Sequence, residues 1–186
     1  MNNSDYVKVK DYIPGIYEDM RYATDNNFTH RVIYSFNEAY LRYGTTMKLK
    51  KVQEELNNLG FSLKIWDAYR PFSAQQYFWD LIHDSDFVAD PTHGPKTHNF
   101  GNVVDVTLVK KNGSLIPMPT EFDDFTSNAN RDYSKLTGDV LFNVQLLEET
   151  MEKHGFFGYE GEWWHFTDYD SYEYVDFDPN KNTKSD

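Results

Sequence analysis

The chain has 186 residues, no cysteine and a formal net charge of −12. That length holds one domain with its own core, and the missing thiols exclude disulfide frameworks and thiolate metal sites, leaving His, Asp and Glu as metal-ligating types. The excess of acid argues against nucleic acid or an anionic membrane surface as a partner and suits a cationic or zwitterionic one.

The first twenty residues carry Asp5, Lys8, Lys10, Asp11, Glu18 and Asp19 without an apolar stretch. No signal peptide is visible there, and no apolar run reaches the length of a membrane span. The cytoplasm is the expected location, or the periplasm if a leader has been removed. Thr45 to Leu59 places Leu49, Val52, Leu56 and Leu59 three and four apart with Gly60 beyond, which predicts an amphipathic helix with a glycine stop. Ser62 to Trp66 alternates, with Leu63 and Ile65 on one face, and predicts a strand. Ser73 with Gln76 three later reads as a capping box opening a helix to about His83, with Tyr77, Phe78, Leu81 and Ile82 inward.

Asp84 to Thr97 contains Pro91, Gly94 and Pro95 and no periodicity. Long loops of this kind within compact domains are often functional. Val103 to Val109 is β-branched and reads as a strand, and Asn112-Gly113 predicts a tight hairpin with Ser114 to Met118 returning. Gly138 to His154 keeps a helical period through Leu141, Val144, Leu147 and Met151, and Gly155 ends it. Phe156-Phe157 and Trp163 to Phe166 predict strands. Pro179 to Asp186 reads as a frayed polar tail. The mixture predicts an α+β fold: one domain over residues 1–186, with a central antiparallel sheet, flanking helices and a metal site at the sheet.

The chemistry concentrates in three places. His98 and Asp105 are seven apart, with Gly101 between them permitting a turn, so the loop histidine and the strand aspartate can converge on one point. Hydrogen bonds alone could also hold such a pair. Glu162-Trp163-Trp164-His165 adds a second imidazole and a carboxylate. Residues three apart on a regular strand face opposite ways, so Glu162 and His165 reach one metal only through a bend or bulge, for which Gly161 offers freedom. Two successive tryptophans cannot both face inward on a regular strand, and one of them is a candidate pocket wall. Arg70, held extended by Pro71, suits a carboxylate or a developing oxyanion, or else a structural salt bridge. Two imidazoles, an aspartate as a possible third ligand and a nearby glutamate are what a catalytic zinc and its water require. His30, His83 and His154 have weaker cases, and His93 is the competing ligand.

Read together, Trp66 to Pro71, His98 to Asp105 and Glu162 to His165 resemble the D-alanyl-D-alanine dipeptidases of the zinc peptidase family that also holds peptidoglycan D,D- and L,D-carboxypeptidases. The resemblance extends to Tyr22-Ala23-Thr24 with Asn27-Phe28, and to Pro117-Met118 with Phe122-Asp123, so it covers most of the chain in the family's order. It implies one Zn2+ bound by His98, Asp105 and His165, and Glu162 as general base on the zinc-activated water and then proton donor to the leaving amine. It also implies Arg70 at the oxyanion, Asp123 on the substrate ammonium and Tyr22 lining the site. The implied substrate is D-alanyl-D-alanine or a similar dipeptide. A carboxypeptidase acting on peptidoglycan stems is the nearest alternative, and a non-catalytic zinc-stabilised binding domain is the alternative of another class. Two positions depart from the family's pattern: Lys96 stands where serine is common, and Phe100 where arginine is.

Overall fold

Helix-spaced apolar residues and β-branched runs form the main elements close to where the sequence predicts them. The computed structural model describes residues 1–181. Strand β1 (Tyr6–Lys8) pairs antiparallel with β3 (Tyr40–Arg42), and α1 (Val9–Tyr12) and β2 (Tyr17–Glu18) lie between them in the chain. There follow α2 (Tyr43–Asn58), β4 (Phe61–Asp67), α3 (Phe72–Ile82), β5 (Val103–Lys110), α4 (Gly138–Lys153), β6 (Phe156–Tyr159) and β7 (Glu162–Asp168). Among the described residues the larger sheet has five strands, ordered β2-β4-β5-β7-β6.

The α+β class is observed, but the sheet is mixed at one edge. The two-residue β2 runs parallel to β4, whereas β4, β5, β7 and β6 pair antiparallel. The chain between β2 and β4 includes β3 and the whole of α2, a crossover long enough for parallel pairing. Helices α2 and α4 pack on each other and on the sheet. Leu49, Val52 and Leu56 of α2 and Val144, Leu147 and Met151 of α4 are buried. Strand β5 is buried at all but its last residue, as expected of a strand covered on both faces. Among the described residues no helix is long and apolar enough to cross a membrane.

Four local expectations need correction. Leu59 is exposed, because α2 ends at Asn58 and the backbone turns through Gly60 at φ +89°. The capping box at Ser73 does not form. Pro71 is the N-cap, so Ser73 already lies inside the helix and no side chain caps it. Leu81 is exposed on this helix, while Ala74, Gln75 and Phe78 face inward. The Asn112-Gly113 turn forms, with Gly113 at φ +84° donating to the Lys110 carbonyl, but the return holds only one bridge, Val109 to Leu115. Pro117 and Pro119 lack the N–H a ladder needs. In the polar tail Pro179 is buried and Asn180 donates to Ser35 Oγ, and residues 182–186 lie outside the described part.

Candidate active site

Three strands bring one row of side chains together. An irregularity between Ile65 and Asp67 sets Asp67 opposite Asp105, and Asp105 lies opposite His165 on β7. Directly opposed residues in a sheet have neighbouring side chains. His98 comes from a short 3-10 turn, Thr97–Phe100, that leads into β5 through Gly101 at φ +74°. Glycine is required at 101 twice over. The left-handed backbone favours it, and a Cβ there would lie 2.3 Å from the Tyr6 ring.

His98 Nδ1 bonds the Ala68 carbonyl at 2.8 Å, which makes Nδ1 the protonated nitrogen and turns the Nε2 lone pair toward Asp105 Oδ2, 3.3 Å away. His165 Nδ1 lies 3.2 Å from Asp105 Oδ1. One ligand atom from each of His98, Asp105 and His165 falls within 4.8 Å of the others. Zinc–nitrogen distances of about 2.0–2.1 Å in a tetrahedron put ligand atoms about 3.3 Å apart, so the separations to Asp105 fit a shared ion. Asp105 Oδ1 is buried and accepts no hydrogen bond, the condition of an oxygen built to face a metal. The donor set, two imidazoles and a carboxylate, is that of catalytic zinc.

Glu162 Oε2 stands 3.4 Å from His165 Nδ1, so these residues three apart do converge. The cause is an irregularity between β6 and β7. Gly158 pairs with Phe166, but the next residue, Tyr159, pairs with Glu162. Trp163, Trp164 and His165 therefore have no partner in β6. Both tryptophans are buried, yet in different places: Trp164 lines the pocket beside His165, whereas Trp163 donates through Nε1 to Thr120 Oγ1 and packs edge-on to Trp66.

These groups open into a cavity of about 320 Å³ that is also lined by Arg70, Tyr22, Asp123 and the loop residues Ser85 to Ala89. The irregular loop after α3 is thus a wall of the site. Arg70 makes the structural salt bridge and also lines the cavity. Its Nε and Nη2 donate to Asp67 Oδ2 at 3.0 and 2.8 Å, and Nη1 donates to Gln75 Oε1 at 2.8 Å. Three of the five guanidinium N–H groups are taken up by these bonds. Tyr22 donates to the Asp123 carboxylate at 3.0 Å, and Asp123 sits at φ +58°, a conformation that Asp and Asn tolerate better than most residues. His93 is exposed and takes no part in the cluster.

Burial raises the carboxyls of Asp123 and Glu162, the latter to about 7, and the neighbouring Asp105 adds to both. Burial would also raise Asp105, but His98 and His165 outweigh it and hold that carboxyl below its usual range. Burial favours neutral His165, and the Asp105 carboxylate reverses this and raises its pKa. Asp67 was unassigned in the sequence. It is fully buried and accepts from Arg70, Tyr34 and the Ala68 N–H, so it fixes the arginine and the strand end beneath His98. Its place in the Trp66–Pro71 motif was the only signal.

A sequence profile described as D-ala-D-ala dipeptidase, Peptidase_M15, matches residues 2–182. The chain belongs to this dipeptidase family. Relatives called D-alanyl-D-alanine dipeptidase include that of Escherichia coli K12, 31% identical over 153 residues, covering 82% of this chain and 79% of that one. The Streptomyces coelicolor relative is 29% identical, covering 88% of this chain and 91% of its own. The Enterococcus faecium relative is 26% identical, covering 83% and 86%. Among solved structures, a D,D-pentapeptidase, VanY, in complex with Zn(II) is 15% identical at a TM-score of 0.47, covering 73% of this chain and 75% of its own.

In this member of the family the two departures lie outside the cavity. Neither Lys96 nor Phe100 lines it. Lys96 uses its backbone N–H to bind Asn99 Oδ1, and Phe100 packs edge-on to Tyr174. Thr97 takes the wall position, at φ +35°, an outlier for a β-branched residue.

Proposed function

We propose that this metallopeptidase is a zinc-dependent dipeptidase cleaving D-alanyl-D-alanine, with Zn2+ held by His98, Asp105 and His165. The observation that carries the reading is the convergence of a metal-ligating cluster and two further acids on one cavity. His98, Asp105 and His165 each offer a ligand atom within 4.8 Å of the others, and Glu162 and Asp123 line the same cavity, where the one arginine is already matched by Asp67. Burial disfavours the charged forms of Glu162 and Asp123, so a bound cation and a substrate ammonium are what would hold them ionised.

Bound zinc supplies Lewis acidity and lowers the pKa of the attacking water. Glu162 takes that water's proton as the oxygen bonds the peptide carbon, and the Arg70 guanidinium at the cavity wall donates to the oxyanion that forms. The C–N bond then breaks, and Glu162 returns the proton to the leaving amine. Tyr22 orients Asp123, whose carboxylate receives the substrate ammonium. The binding-domain alternative fails to account for Glu162 beside an open cavity, since a structural zinc closes its fourth position with protein.

Arg70→Lys tests the oxyanion role. Lysine keeps the charge but cannot bind Asp67, Gln75 and substrate from one planar fork. kcat is expected to fall by about 10²–10³ with KM little changed. Wild-type kinetics would leave Arg70 as a salt bridge only.

A substrate comparison tests the reading as a whole. The free dipeptide D-Ala-D-Ala is expected to exceed its N-acetyl form in kcat/KM, and Asp123→Asn, which keeps the backbone preference, is expected to raise KM for the free dipeptide about 30-fold, near 2 kcal/mol. A preference for the acetylated peptide would move the protein to the carboxypeptidase alternative.

A further inference from the structure

The β6–β7 irregularity leaves Trp163 and His165 without a strand partner on the side facing β6. Unpaired buried carbonyls are costly, and here a side chain from outside the sheet serves them. Arg131 donates through Nη2 to the Trp163 carbonyl at 3.2 Å and the His165 carbonyl at 2.9 Å, and through Nε to the Tyr159 carbonyl at 2.8 Å. Its own backbone N–H binds the Glu160 carbonyl at 3.0 Å. The side chain is only 6% exposed, its Nη1 lies 3.1 Å from Glu148 Oε2, and the guanidinium rests 4.5 Å above the Phe166 ring.

We propose that Arg131 is a positioning residue for the active site, a clamp that replaces the missing strand partner and so holds Glu162 and His165 on one side of β7. A regular β6–β7 ladder would send residues three apart to opposite faces. The clamp makes the irregular backbone the stable one, because it satisfies the carbonyls that a regular register would otherwise recruit. Gly158 belongs to the same device. A Cβ there would lie 2.0 Å from Arg131 Cζ, so the glycine leaves the space in which the guanidinium lies.

The inference rests on the zinc reading for its kinetic part but has a metal-independent readout. Arg131→Lys keeps the charge near Glu148 and cannot span three carbonyls. Gly158→Ala leaves Arg131 intact and evicts its flexible end, since the backbone at 158 has no positive φ. Each is expected to lower zinc affinity, measured by chelator competition, and kcat by about 10–100-fold, the usual cost of losing a group that orients a ligand, with KM near wild type. The double variant should be scarcely worse than either single one. In the metal-free proteins the His165 ring NMR signals should move while those of His154 stay. Folded variants with wild-type zinc affinity, kcat and His165 signals would overturn the clamp. Failure of both single variants to fold would also overturn it, in favour of a brace for the fold. A wild-type protein that binds no zinc would sink the zinc reading alone, and the His165 signals would still decide the clamp.

Discussion

Glu162→Ala is expected to lower kcat by at least about 10³ while zinc remains bound. A single general base is worth about 10²–10⁴ in rate, and Glu162 handles the proton twice, from the water and then to the amine. The variant should keep its metal because the His98, Asp105 and His165 cluster is complete without it. The carboxylate stands 3.4 Å from His165, so it can reach the ion's neighbourhood, but it comes from the first residue of β7, opposite Tyr159, rather than from the row across β5 and β7. Metal analysis and single-turnover kinetics on the same sample check this. If zinc is lost from the Glu162 variant and kept in the His165 variant, the roles of the two residues are exchanged.

His98→Ala and His165→Ala are each expected to lose zinc on dialysis and to lose activity with it. Removing an outer partner of a ligand typically costs 10–100-fold in affinity, and removing the ligand itself should cost more. Each change also strands Asp105, which is buried between the two imidazoles with one oxygen already unpaired. A ligand that binds only the native state stabilises it by about 4 kcal/mol at a thousandfold excess over Kd. Added zinc should therefore raise the unfolding temperature of the wild type and leave both variants unmoved. Full zinc occupancy in both variants would reject the assignment, and binding through the exposed His93 would be the first place to look.

Much of this arrangement was legible in the sequence, and the reasons are local. The helical spacing of Leu49, Val52 and Leu56, the β-branched run ending at Val109 and the glycines at 60 and 155 determine α2, β5 and the ends of α2 and α4, because periodicity and chain stops act over a few residues. His98, Asp105, Glu162 and His165 stood out because few residue types can ligate a metal or carry a proton in a chain without cysteine. Arg70, Asp123 and Tyr22 were added by resemblance to the family or by residue chemistry, and all of them line the same cavity. What the sequence could not supply was contact between distant segments. The capping box at Ser73 was a local pattern overruled by Pro71, which set the helix start. The convergence of Glu162 and His165 needed a specific irregularity that the segment alone left open, and the arginine that binds its carbonyls lies some thirty residues earlier, in the chain between β5 and α4. Arg131 lies in no motif, and Asp67 lies in the Trp66–Pro71 motif with nothing local to mark its role. Their part in the site comes from carbonyls and donors brought beside them by strand register, which only the tertiary structure decides.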